Sequence, residues 1–344
     1  MQVRLGSAGK LGLLLGLVAT LVACSSADAT APSGGATDGG VAEAPGDAAT
    51  ATLPDGALAN VASCAPAGTT GTKELDCEGF TLKLSVPASC PKAGCGFILD
   101  LHGALMSADL EDAHTELRSR AGAKGYVVAQ PTAPTHTFSG LTGPQWFNEH
   151  DDALFRLVTA LLRDLSIDRS RVHATGFSQG GFATLRLLCA HADTFASVAP
   201  GAAGVDGCPL DANIVAGCPF GAGKTPSRPL DVLFLYGTKD AIVPKACAEQ
   251  AVNAIVKGFA MGAATALTSG AGFERKRYSG SGVVLETLAH DYQARGSLGA
   301  INGGHCVPGS KAKTGGVWDD LACAGASGFV WGEEVLKFFE AHPK

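Results

Sequence analysis

From Phe80 to Val86 apolar and polar residues alternate, the period of a strand with one buried face, and Pro87 ends the run. Gly96 to Leu101 is a short, mostly apolar run that stops at His102-Gly103, as a strand buried on both faces would. Glu111 to Gly122 reads as a helix, and Gly125 to Gln130 as the next strand. Asp151 to Leu165 repeats Leu154, Phe155, Leu157, Val158, Leu161 and Leu162 at helical spacing. Arg171 to Gly176 is again strand-like and leads directly into a helical pattern from Gln179 through Cys189. Asp231 to Tyr236 is a further buried strand. Gly328 to His342 closes the chain as a helix whose core face carries Phe329, Val330, Val335, Leu336 and Phe339.

Strands that alternate with helices predict an α/β fold: a mainly parallel sheet flanked by helices, a three-layer sandwich. In such sheets ligands bind beyond the carboxyl ends of the strands. Strand-exit residues, not helix faces, are therefore the candidates for chemistry. No internal repeat is visible.

The N-terminus reads differently. Arg4 and Lys10 precede an apolar stretch from Leu11 to Val22 that has the length of a signal-peptide core and is short for a bilayer span. It ends in Leu21-Val22-Ala23-Cys24, which resembles the bacterial lipobox. Residues 1–23 are accordingly expected to be a lipoprotein signal peptide, with Cys24 lipidated. From Ser25 to about Asn60 the chain is mostly Ala, Gly, Ser, Thr, Pro and Asp, with no aromatic or basic residue. Such a segment cannot bury enough surface to offset the entropy of ordering it, so residues 24–60 read as a lipidated tether. Residues 61–344 form the folded domain.

Charge adds one expectation. The 344 residues include 26 basic and 32 acidic ones, a net charge of −6, without a long basic run, so nothing points to a nucleic-acid binder and no nucleic-acid partner is expected. Five of the acids (Asp28, Asp38, Glu43, Asp47, Asp55) lie in the tether. Of 11 cysteines, lipidation of Cys24 leaves an even number, which in an exported chain favours disulfides. Local pairing predicts Cys64–Cys77, Cys90–Cys95, Cys208–Cys218 and Cys306–Cys323, leaving Cys189 for Cys247 or as a buried free thiol. The spacings make no four-ligand zinc set, and no metal or organic cofactor is expected.

The candidate chemistry centres on Gly176-Phe177-Ser178-Gln179-Gly180-Gly181, set between a strand and a helix. A nucleophile elbow turns so sharply that close neighbours must lack side chains. It lifts the serine hydroxyl above the sheet and turns the next backbone N–H, here that of Gln179, toward the same point. A serine nucleophile needs a base, and the base an orienting acid. His305 lies in a glycine-flanked loop, Asn302 to Gly309, and is the preferred base over His290, for which a surface role is expected. His191 and His342 lie at helix ends away from the strand exits. Asp240, just after a buried strand and between Ser178 and His305 in the chain, is the candidate acid. The second oxyanion donor is expected from His102-Gly103-Ala104-Leu105, as the Ala104 N–H, with His102 as a structural imidazole.

At these residues the chain resembles the polyhydroxybutyrate depolymerase and feruloyl esterase branch of the α/β-hydrolases. The resemblance is carried by Leu101-His102-Gly103, by Asp151-Asp152 opening a helix, and by Arg171 through Gly181. Gly237-Thr238-Lys239-Asp240 with Val243-Pro244, and Gly303-Gly304-His305 with Pro308-Gly309, complete it. It implies the α/β-hydrolase fold, the triad Ser178, Asp240 and His305, and a carboxylic ester as substrate. The family often has an aromatic residue two positions after the histidine; here Val307 stands there. Trp146 is the alternative aromatic wall of the acyl pocket, or else packs its own loop. These features predict an exported, membrane-anchored serine esterase. A prolyl-oligopeptidase-like peptidase and a non-catalytic binding lipoprotein are the rivals.

Overall fold

The alternating and apolar runs become neighbours in one ten-stranded sheet. The computed structural model describes residues 61–90, 94–138, 140–208 and 226–344, all within the unit Asn60–Lys344. Residues 1–60, where the leader, the lipidated Cys24 and the tether are expected, and Cys218 lie outside the described residues. Among the described residues no helix is long and apolar enough to cross a membrane.

The strands are β1 (Gly71–Cys77), β2 (Phe80–Val86), β3 (Cys95–Leu101), β4 (Tyr126–Thr132), β5 (Thr135–Phe138), β6 (Leu141–Pro144), β7 (Ile167–Phe177), β8 (Ser197–Gly201), β9 (Asp231–Gly237), β10 (Thr265–Gly270), β11 (Phe273–Gly280) and β12 (Val283–His290). The helices are α1 (Ala108–Thr115), α2 (Leu117–Gly122), α3 (Asp151–Asp164), α4 (Gln179–His191), α5 (Lys245–Gly258), α6 (Gly299–Asn302) and α7 (Trp331–Ala341). The sheet order is β1-β2-β4-β3-β7-β8-β9-β12-β11-β10, and β5 and β6 form a separate hairpin. From β4 to β12 every pair is parallel, while β1, β2, β10 and β11 add antiparallel edges.

Side chains of β3 divide between two cores, as the two-residue period of a strand requires. Phe97, Leu99 and Leu101 face the layer built by α3, α4 and α5, where Leu154, Leu157, Leu161, Leu185, Ala251 and Ile255 are enclosed. Ile98 faces the other layer with Leu117, Trp331, Val335 and Phe339 from α2 and α7. Each such large apolar side chain contributes roughly 1.5–3 kcal/mol by leaving water.

Several elements differ from the pattern. The expected helix 111–122 is two helices, because Glu116 takes a left-handed conformation (φ 54°) between them. The first begins earlier, where Ser107 accepts the Leu110 N–H as N-cap. α7 starts at Trp331 rather than Gly328. His290 is not on the surface; it ends β12, a strand buried over its last six residues.

The disulfides Cys64–Cys77, Cys90–Cys95 and Cys306–Cys323 form as local pairing predicts. Cys208, however, pairs with Cys247, so neither Cys208–Cys218 nor Cys189–Cys247 exists. The loop leaving β8 runs against the first turn of α5, and the fold brings together residues 39 apart. A Cβ on Gly204 would lie 3.0 Å from that of Cys247 and 3.3 Å from that of Cys208. Cys189 is also disulfide-bonded rather than a free thiol.

The second core contains two acids. Asp100 on β3 and Glu111 on α1 are both enclosed, at 0% and 1% exposure. Asp100 Oδ2 accepts from Gln130 Nε2 (2.6 Å) and Thr115 Oγ1 (3.1 Å), while its Oδ1 has no hydrogen-bond donor. Burial pushes the Asp100 carboxyl up to about 7 and that of Glu111 well above its usual range. A raised folded-state value means the unfolded chain ionises first. Asp100 therefore contributes least cost at pH values below its ordinary value, and that cost grows as pH rises toward 7. We expect Asp100→Asn to raise the melting temperature at pH 8 and to change it little near pH 4. A denaturation series across that range checks it.

Candidate active site

Strand β7 runs into α4 with one residue between them. That residue is Ser178, at φ 56° and ψ −121°, a conformation that L-residues rarely adopt. Its N–H donates to Gly201 O (2.9 Å), and its carbonyl accepts from Phe182 N–H (3.0 Å). The turn closes on backbone. A Cβ at Gly176 would sit 2.6 Å from Gly180 O, and one at Gly180 only 1.9 Å from Leu101 O. The glycines of the motif are thus required by contact between α4 and the end of β3.

His305 and Asp240 come from two loops joined to each other. Gly304 N–H donates to Lys239 O (2.8 Å), and Ala241 N–H to Asn302 O (3.1 Å). Gly303 takes φ 52°, and a Cβ there would lie 2.3 Å from Lys239 O. Asp240 Oδ1 accepts both Ile242 N–H and Val243 N–H at 2.8 Å. Its Oδ2 accepts from His305 Nδ1 at 2.7 Å. With both carboxylate oxygens used as acceptors, the tautomer of the neutral His305 ring is the one with its proton on Nδ1 and its lone pair on Nε2. The imidazole lies 4.9 Å, centroid to centroid, from the ring of Phe177, next to Ser178. Beyond it, Cys306 is tied to Cys323.

The loop after β3 lies against the elbow: a Cβ on Gly103 would be 3.5 Å from Ser178 Cβ. Leu105 N–H is committed to Pro144 O (2.7 Å) and Met106 N–H to Gly103 O (3.2 Å). Among the described residues the Ala104 N–H donates to nothing. Gln179, as first residue of α4, has an N–H without an intrahelical acceptor. His102 is fully buried; its Nδ1–H donates to Gly103 O (2.6 Å), and its Nε2 accepts Ala133 N–H (3.0 Å). Burial lowers its pKa to about 4, so it is a neutral, structural imidazole.

The other sequence candidates fall elsewhere. His191 stacks on Phe155 and His342 on Phe338. His290 is buried, and desolvation lowers it to about 4. Trp146 (0% exposed) and Val307 (1%) are both enclosed. A partly buried ion pair had no sequence signal beyond Asp151 itself: Arg186 Nε on α4 holds both oxygens of Asp151 at 3.0 and 2.7 Å.

Among the described residues, two clusters have the composition of a cation site. His290, Cys306 and Cys323 converge, but both sulfurs are spent in a disulfide. His136 and His150 bring their Nε2 atoms within 3.2 Å, with Glu149 Oε1 at 3.8 and 3.7 Å. Tetrahedral zinc would set such atoms about 3.3 Å apart. The outer contacts are wrong for a metal. Phe147 N–H donates to Nδ1 of His150 (3.1 Å), which fixes the proton on Nε2, where a metal needs the lone pair.

No protein-family model matches the chain. It is 29% identical over 184 residues to NocK, named a candidate esterase, of Nocardia uniformis subsp. tsuyamanensis, covering 51% of this chain and 50% of that protein. It is 25% identical over 150 residues to the bifunctional acetylxylan esterase/xylanase XynS20E of Neocallimastix patriciarum, 42% of this chain and 19% of that one. The chain thus spans half of the first relative's length and a fifth of the second's. The solved acetyl xylan esterase from Aspergillus awamori superposes with a TM-score of 0.51 at 15% identity, over 64% of this chain and 92% of that one. With the sheet order and elbow, that likeness establishes an α/β-hydrolase fold.

Proposed function

We propose that this protein is a serine esterase that hydrolyses carboxylic esters through an acyl-enzyme. The observation that carries the reading is the Asp240–His305 hydrogen bond (2.7 Å) on loops beside the strained elbow at Ser178. His305 Nε2 takes the proton of Ser178 Oγ as the oxygen attacks the acyl carbon. The Ala104 and Gln179 N–H groups hold the oxyanion, and the protonated imidazole then gives its proton to the leaving alcohol. Water attacks the acyl-enzyme with His305 again as base, releasing the acid and restoring Ser178. No step requires a metal or organic cofactor.

The acyl groups proposed are hydroxybutyrate oligomers or feruloyl- and acetyl-type esters. The motifs from Leu101 to Gly309 support the first two, and the names of the relatives support acetyl esters. We further propose export and anchoring through Cys24. The lipobox-like sequence favours this, and so do the disulfides, which persist in oxidising compartments.

The test is a panel of p-nitrophenyl esters, methyl ferulate, acetylated xylan oligomers, hydroxybutyrate oligomers and peptide anilides, with wild type and Ser178→Ala. Ester turnover that disappears in Ser178→Ala is expected. Turnover of anilides alone would make the protein a peptidase. No turnover and no fluorophosphonate labelling would make it a binding protein.

A further inference from the structure

The two N–H donors assigned to the oxyanion come from different elements, the first residue of α4 and the loop after β3. They work together only if both point at one position about 2.7–3.1 Å away. One residue bonds to both sides. Trp146 donates its backbone N–H to the side-chain Oε1 of Gln179 (2.8 Å) and its indole Nε1–H to the carbonyl of His102 (3.0 Å). We propose that Trp146 and the side-chain amide of Gln179 are positioning residues that clasp the two halves of the oxyanion hole in register. This rests on the esterase reading above and gives the Trp146 and Gln179 side chains a role separate from that of the Gln179 N–H on the oxyanion.

The peptide planes explain how the clasp acts. In a trans peptide the C=O and N–H point in opposite directions, so holding one aims the other. The indole of Trp146 holds the His102 carbonyl, which fixes the peptide just before the donor. The next peptide, between Gly103 and Ala104, is held by its own carbonyl, which accepts from Nδ1–H of His102 (2.6 Å). That leaves the Ala104 N–H directed away from the imidazole. On the other side, Gln179 Oε1 ties the first residue of α4 to the same tryptophan.

Trp146 has little freedom. Its ring lies 5.6 Å from that of Phe80 and 5.2 Å from that of His102. The β5–β6 hairpin before it is tied to the same loop through Leu105 N–H and Pro144 O (2.7 Å). Trp146 and His102 are fully enclosed, and Gln179 nearly so, so water cannot replace a lost bond. A second contact layer of this kind is what keeps a site within the tolerance catalysis needs.

The experiment uses Trp146→Phe and Gln179→Met, each of which removes one bond while keeping most of the side chain's bulk. For each we expect kcat on a p-nitrophenyl ester to fall about 10- to 100-fold with KM within about twofold, less than complete loss of one oxyanion donor. The affinity for an alkyl trifluoromethyl ketone, whose Ser178 adduct carries the oxyanion, falls by the same factor as kcat/KM. The double variant loses little more than either single one, because both serve the same clasp. Unchanged ketone affinity would overturn the proposal. A rise in KM alone would also overturn it, making Trp146 a wall of the substrate pocket. If Trp146→Phe does not fold, Gln179→Met decides by the same readouts. Full turnover by Ser178→Ala overturns the esterase reading and the clasp together; Ser178-dependent turnover with unchanged kcat in both variants overturns the clasp alone.

Discussion

On the proposed esterase mechanism, Asp240→Asn is expected to lower kcat for ester hydrolysis by about four orders of magnitude, the loss that follows when the base is held in the wrong tautomer. The geometry makes the direction of the substitution clear. Oδ1 of Asp240 accepts two backbone N–H groups, from Ile242 and Val243. An asparagine must keep its amide oxygen on that side, which turns its NH2 toward His305. Nδ1 of His305 then has to accept, the ring proton moves to Nε2, and the imidazole can no longer take the serine proton. Asp240→Ala frees the ring instead and should cost less per molecule that finds the productive orientation. Steady-state kinetics on p-nitrophenyl acetate separates the two, and equal activity of Asp240→Asn and wild type would remove Asp240 from the mechanism.

Gly180→Ala is the second large effect, and it falls on folding. The added methyl would sit 1.9 Å from Leu101 O, 2.5 Å from Leu101 C and 2.7 Å from His102 O. All three are backbone atoms of the central strand and the loop that follows it, so no flexible side chain can yield. Relief requires α4 to lift from β3, which breaks the elbow and opens the interface around Phe182 and Leu185. Such a conflict belongs with the exceptional destabilisations, above about 4–5 kcal/mol. Little soluble protein is expected, and any that is recovered should melt well below wild type. A normal melting temperature would show that α4 is not held against β3 as described.

Much of this arrangement is legible in the chain. Residues that leave strands β3, β7 and β9 are marked by the change from apolar runs to glycine-rich turns, and that change placed Ser178, Asp240 and the Ala104 loop. His305 was legible through chain order and its glycines. The antiparallel strands at the far edge were not. β10 is exposed along its whole length, and β11 is only partly buried, so neither has an apolar signal. β12 carries Glu286 into a buried position, where Arg275 (2.7 Å) and Arg277 (2.8 Å) neutralise it from β11. A charged residue inside a strand breaks the alternation unless its partner is known. The Cys208–Cys247 bridge was hidden for a related reason: proximity along the chain is a weak guide where parallel crossovers bring distant segments together. Trp146 could be named as either a pocket wall or loop packing, because the sequence does not show which way an indole N–H points.

The backbone at Ser178 has one more consequence. A non-glycine residue at φ 56° and ψ −121° holds strain that a relaxed chain would release at once, on the order of 1–3 kcal/mol. Outside the fold Ser178 is an ordinary serine with no base beside it. If it is the nucleophile, its reaction with a fluorophosphonate is stoichiometric with native molecules, and the label becomes a census of folded protein that needs no substrate to read.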